Sequence, residues 1–187
     1  METQKLYQEA IKFATARHIG KQQKVPGTDL PYVVHLSNVA MEILIAAPKT
    51  ENFNVGFAVQ VALLHDIIED TSTNFSHLEV EFGAKVANAV LALSKNPQLS
   101  KEQQMHDSLN RIKEQPAEVW AVKLADRITN LQEPPTVWDK LKKLNYQNEA
   151  RIILSELKEG NEYLAKRLEE KIEQYDNYMK SQLNFQI

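Results

Sequence analysis

The chain has no cysteine. That excludes disulfides, thiolate zinc sites and cysteine nucleophiles, and it fits a reducing compartment. Glycine is scarce, with five in 187 residues, and few segments alternate polar and apolar residues, so a strand-rich architecture finds little support. No apolar run approaches the ~18 residues needed to span a bilayer. Met1 to Ile19 mixes charged and apolar residues and lacks the apolar core of a signal peptide. A surplus of positive charge is missing too. The formal net charge is −3, and no Lys/Arg run or RNA-binding motif appears. Neither nucleic acid nor a membrane is therefore an expected partner, and the default expectation is a cytoplasmic location.

What is present is a globular composition, 43% hydrophobic and 25% charged, on a length that suits one domain with a real core. Leu6, Ala10, Ile11 and Ala14 predict a first helix to about His18. Gly20 to Pro31 reads as a loop. A second helix is expected from about His35 to Ala46. Asn54 is the candidate cap of a third, largely apolar helix that ends near Asp70 and should lie at the centre of the fold. Ser76 with Glu79 forms a capping-box pattern ahead of Phe82, Val86, Val90 and Leu93. Ser100 opens a short helix, Pro116 opens another through Leu131, and Pro134-Pro135 stops it. From about Lys143 two helices are expected, broken near Gly160. The last carries Leu164, Leu168, Ile172, Tyr175 and Met179 at helical spacing. That stripe fits a dimer contact and internal packing equally well, so the oligomeric state stays open. The reading is one all-α domain over residues 1–187.

Within this plan the stretch Ala62-Leu63-Leu64-His65-Asp66-Ile67-Ile68-Glu69-Asp70 stands out. Helical spacing puts His65 with Glu69 on one face, and Asp66 with Asp70 on another. Burying such groups is unfavourable unless something compensates. A divalent metal would do so, because it pairs with carboxylates and takes a neutral imidazole nitrogen as ligand. His35 opens helix two, and Asp126 lies in Lys123-Leu124-Ala125-Asp126-Arg127-Ile128-Thr129-Asn130-Leu131. There Leu124, Ile128 and Leu131 face the core, while Lys123, Asp126, Arg127 and Asn130 share another face. Taken alone, His35 also reads as a core histidine and Asp126 as part of a solvated ion pair. The bland alternative for Glu69 and Asp70 is a charged helix end, although acidic residues are mildly unfavourable there.

The set His35, His65-Asp66 and Asp126 in an all-α chain resembles the HD-domain metal-dependent phosphohydrolases. The fit is closest to the hydrolase domain of the RelA/SpoT proteins and the small alarmone hydrolases, including the metazoan SpoT homologue. Pro31-Tyr32-Val33-Val34-His35, Ala62 to Thr71, Glu81-Phe82-Gly83 and Lys123 to Leu131 carry the resemblance, which runs from about residue 6 to 168. It implies an HD-domain helical bundle and one Mn²⁺ held by His35, His65, Asp66 and Asp126. It implies catalytic roles for Glu69 and Asp70, and substrate contacts by Lys24, Tyr32, Lys123, Arg127, Asn130 and Tyr146. Trp120 and Trp138 read as packing residues, and His18, His77 and His106 have no partner at ligand spacing.

The reaction implied is hydrolysis of the 3′-pyrophosphate of (p)ppGpp, releasing pyrophosphate and GDP or GTP. A hydrolase alone is expected, without a synthetase domain. One departure bears on substrate. Gln23 stands where the resemblance places an arginine, so a stacking cation is absent, and (p)ppApp becomes an alternative substrate. The competing readings are another HD-domain nucleotide phosphohydrolase and a non-catalytic nucleotide-binding HD domain. Intact His35, His65, Asp66, Glu69, Asp70 and Asp126 argue against the latter.

Overall fold

The run from residue 55 to 64 is apolar on every side, so it is stable only where other helices surround it. That is where it lies. In the computed structural model, which describes residues 2–135 and 137–183, the helices are α1 (Glu2–Ile19), α2 (Val33–Ala46), α3 (Val55–Leu64), α4 (Ile67–Asp70), α5 (Phe75–Leu93), α6 (Lys101–Lys113), α7 (Ala117–Asn130), α8 (Lys140–Leu157) and α9 (Glu162–Leu183). α3 packs against α1, α2 and α7. Every residue from Gly56 to Leu64 except Gln60 is buried. Asn54 caps the helix as expected, accepting from Phe57 N at 3.1 Å. Among the described residues there is no strand; an isolated antiparallel bridge between Lys24 and Pro31 closes the loop from α1 to α2. The all-α expectation holds. Among the described residues no helix is long and apolar enough to cross a membrane.

α7, α8 and α9 pack on one another beside this centre. Leu164, Leu168, Ile172 and Tyr175 of α9 are buried. The stripe that also fitted a dimer contact is thus used inside the chain.

Two local expectations are corrected. Helix three does not run to Asp70: α3 ends at Leu64, and α4 restarts at Ile67. The cap of α5 is Asn74, accepting from His77 N at 3.0 Å, rather than Ser76. Asparagine caps at least as well as serine, and it comes two residues earlier. α5 is also kinked at Gly83, where φ is 81° and ψ is 161°. A residue with a Cβ pays for that region in strain, so the Glu81-Phe82-Gly83 motif has a backbone reason. The turn lets Phe82 meet the ring of Phe13 edge-on at 5.2 Å.

A second glycine is fixed by crowding. A Cβ on Gly160 would run into Trp120 Cβ, with Trp120 Cγ at 3.1 Å. Because a Cβ is tied directly to its backbone, it cannot swing aside. Gly160→Ala is expected to destabilise the fold by ~1–3 kcal/mol. The urea midpoint should fall at unchanged slope; an unchanged midpoint would show that α7 yields freely.

Candidate active site

Consecutive residues of a regular helix point ~100° apart. His65 and Asp66 could not both face one point from an unbroken helix. The interruption between α3 and α4 removes this obstacle. Asp66 adopts φ −99° and ψ 0°, outside ideal helix geometry. As a result Asp66 Oδ2 comes within 2.9 Å of His65 Nε2. His35, at the start of α2, brings its Nε2 to 3.7 Å from the same oxygen. From α7, Asp126 Oδ1 lies 3.4 Å from His35 Nε2 and 3.6 Å from His65 Nε2.

The expected pairing of His65 with Glu69 and of Asp66 with Asp70 is replaced. The His/Asp groups turn inward to one centre. Glu69 accepts instead from the backbone N and the Nζ of Lys95, at 2.7 and 3.1 Å. Asp70 Oδ2 accepts from Gln23 Nε2 at 2.6 Å.

Supporting side chains hold the two inner carboxylates. Tyr32 Oη donates to Asp66 Oδ2. Asn130 Nδ2 donates to Asp126 Oδ1 at 2.5 Å, and Lys123 Nζ to Asp126 Oδ2 at 3.3 Å. The expected shared face of Lys123, Asp126 and Asn130 is therefore seen. Arg127 turns away: its guanidinium lies over the Tyr146 ring at 4.5 Å and reaches Glu149 at 3.4 Å. Lys24 pairs with Asp29 at 2.5 Å on the exposed side of its loop.

The donor set fits a divalent cation. His65 Nδ1 lies 2.7 Å from Ala62 O, which requires the proton on Nδ1 and leaves Nε2 with its lone pair. The Nε2 atoms of His35 and His65 are buried, and neither makes an aligned hydrogen bond among the described residues. One donor atom from each of His35, His65 and Asp126 lies within 4.8 Å of the others. Two imidazoles with carboxylates beside them suit a borderline-to-hard ion.

Without a cation these groups pair with one another. Burial opposes charge on His65, but Asp66 and Asp126 outweigh it and raise its pKa well above the ordinary histidine value. Burial likewise opposes ionised Asp126, yet Lys123 and the two imidazoles hold it well below the ordinary aspartate value. A raised histidine stabilises the metal-free fold fully below its ordinary pKa, and that contribution is lost as pH rises through the raised value. A metal held by His65 would need the neutral ring, so its binding there would expel the His65 proton. Metal affinity should rise with pH, with release of about one proton near neutrality. Titration calorimetry in buffers of different ionisation heat reads this directly. Binding without proton release would remove His65 from the ligand set.

A pocket of 470 Å³ opens beside the cluster, a size that admits a nucleotide. His35 and Asn130 form the wall shared with the cluster, and the loops at 25–30 and 132–135 form much of the rest, with Asn38, Trp138, Tyr146 and Tyr175. Trp138 meets Tyr146 edge-on at 5.1 Å. Its place in the pocket corrects the expectation of a plain packing residue. His18 and Lys95 also reach the site, through Gln23 and Glu69 respectively, and neither has helical spacing to its partner.

A family model described as the HD domain matches residues 10–157. The chain belongs to the HD-domain family. This HD domain is 32% identical over 167 residues to guanosine-3′,5′-bis(diphosphate) 3′-pyrophosphohydrolase MESH1 of Danio rerio, covering 87% of this chain and 89% of that one. It is 27% identical over 168 residues to the MESH1 of Drosophila melanogaster, covering 88% and 91%. A solved structure, described as a metazoan ortholog of SpoT that hydrolyzes ppGpp and plays a role in starvation responses, superposes with a TM-score of 0.76. It is 26% identical, with 90% of this chain and 94% of that one covered.

Proposed function

We propose that residues 1–187 act as one HD-type hydrolase domain that removes the 3′-pyrophosphate of (p)ppGpp-type alarmones, releasing pyrophosphate and GDP or GTP. The observation that carries this reading is the buried His/His/Asp cluster opening onto a nucleotide-sized pocket through His35 and Asn130. Relatives named as 3′-pyrophosphohydrolases align along nearly the whole chain, which supports it.

In this reading His35, His65, Asp66 and Asp126 hold one Mn²⁺. The bound ion would supply Lewis acidity and a water of lowered pKa. Tyr32 fixes the orientation of Asp66, while Lys123 and Asn130 fix that of Asp126. Asp70 is pushed up by its burial, against the lowering effect of its Gln23 hydrogen bond. A raised carboxyl is suited to take up and return a proton. Glu69, gripped by Lys95, orients the attacking water. Tyr146 and Trp138 offer aromatic surface to the base, with Arg127 behind Tyr146.

The adenosine counterpart (p)ppApp is the second substrate reading. The side chain of Gln23 is engaged by His18 and Asp70, and Lys24 by Asp29. Neither offers the base a stacking cation. The test is pyrophosphate release by the Mn²⁺-loaded protein from 3′-pyrophosphorylated guanosine and adenosine nucleotides, with chelator and nucleoside triphosphates as controls. Chelator-sensitive release is expected, and the guanosine-to-adenosine ratio decides the base. Inorganic phosphate from a 5′ position, with no pyrophosphate, would point to another HD phosphohydrolase. Metal binding without any product would point to a binding domain.

A further inference from the structure

We infer that His18 is a positioning residue that holds Asp70 in place through the side chain of Gln23. The role of Asp70 rests on the hydrolase reading above; the geometry of the relay does not.

His18 sits in the last turn of α1 and is only 2% exposed. Its Nδ1 lies 2.6 Å from Gln23 Oε1, and Gln23 Nε2 donates to Asp70 Oδ2 at 2.6 Å. A side-chain amide donates from its nitrogen and accepts at its oxygen. With the nitrogen facing a carboxylate, the oxygen must face His18, so His18 Nδ1 must carry its proton. The chain of hydrogen bonds thus has a fixed order: His18 donates to Gln23, and Gln23 donates to Asp70. The Nε2 of His18 is buried and has no hydrogen-bond partner among the described residues. The polar connection of this imidazole therefore runs through Gln23.

The ring has a second contact. It lies tilted on Tyr32, with centroids 5.0 Å apart, and Tyr32 Oη donates to Asp66. One buried imidazole thus backs the struts on both Asp66 and Asp70. A glutamine side chain turns about three bonds and can present its amide either way round. His18 removes that freedom, because only one orientation serves both neighbours. Displacement of a reacting group by ~1 Å can lower a rate by ~10²-fold, which makes such a strut matter to turnover.

The test separates volume from hydrogen bonding. His18→Phe fills the space but has no donor for Gln23. His18→Asn leaves a void but keeps an N–H near the Nδ1 position. The phenylalanine variant should be at least as stable as the asparagine variant. It should also lose roughly 10- to 100-fold in kcat, with little change in KM and with metal content retained. His18→Asn should recover most of that loss. Gln23→Leu should lose kcat as His18→Phe does, and the double variant should fall little further, because both break one relay. If kcat instead follows stability, with His18→Phe the more active, the relay is overturned and His18 is a packing residue.

A second measurement does not depend on turnover. ¹H–¹⁵N correlation spectra of the wild-type protein should show a protonated, exchange-protected His18 Nδ1 that is lost or strongly shifted in Gln23→Leu. An unprotonated Nδ1, or a signal indifferent to Gln23, would overturn the relay. Failure of the wild type to release pyrophosphate from any nucleotide would sink the alarmone reading, and the spectra would then decide the relay by themselves.

Discussion

Asp126→Ala is expected to abolish metal retention and to lower turnover by about 10³-fold or more. Asp126 stands within 3.6 Å of both buried imidazole nitrogens. It is buried and fixed by Asn130 and Lys123. Remove it, and a cation at the two histidines would sit in a buried site short of one negative charge, which is strongly unfavourable. The measurement is Mn²⁺ content after gel filtration, together with pyrophosphate release, with circular dichroism to show that the helices remain. Asp66→Ala should behave alike, since Asp66 Oδ2 is 2.9 Å from His65 Nε2. Normal metal content and normal turnover in both variants would sink the assignment of the metal centre.

Glu69→Ala should keep the metal and lose turnover. Removal of a positioned proton-transfer or water-orienting carboxylate lowers rates by ~10²–10⁴-fold. The structure separates this residue from the cluster, because its two oxygens are engaged by the backbone N and the Nζ of Lys95. Asp70→Asn should act in the same direction, since an amide cannot carry the exchanged proton. Metal content equal to wild type, with kcat reduced and KM little changed, is the expected pattern. Loss of metal from the Glu69 variant would instead make Glu69 a ligand, and the division between ligating and catalytic carboxylates would have to be redrawn.

Much of this protein is written in local sequence. The all-round apolar run from residue 55 to 64 required a central helix, and α3 is one. Leu124 and Ile128 of α7 and its C-cap Leu131 are buried, while Asp126 meets Lys123 and Asn130 on another face, as a period of 3.6 demands. His65 and Asp66 drew attention because ionisable groups in an apolar run need a reason, His35 and Asp126 joined them only through the family resemblance, and the structure gathers the four side chains at one centre. Other features were decided only by the tertiary structure. The interruption that turns His65 and Asp66 to one point leaves no Gly or Pro as its mark in the sequence. The grip of Lys95 on Glu69 spans 26 residues, and that of Gln23 on Asp70 spans 47. Gln23, read as a missing stacking cation, bridges His18 and Asp70 by its two amide atoms. Contacts between elements have no period along the chain, so nothing local encodes them. They arise when helices placed by their apolar faces bring the ends of α1, α4 and α5 together.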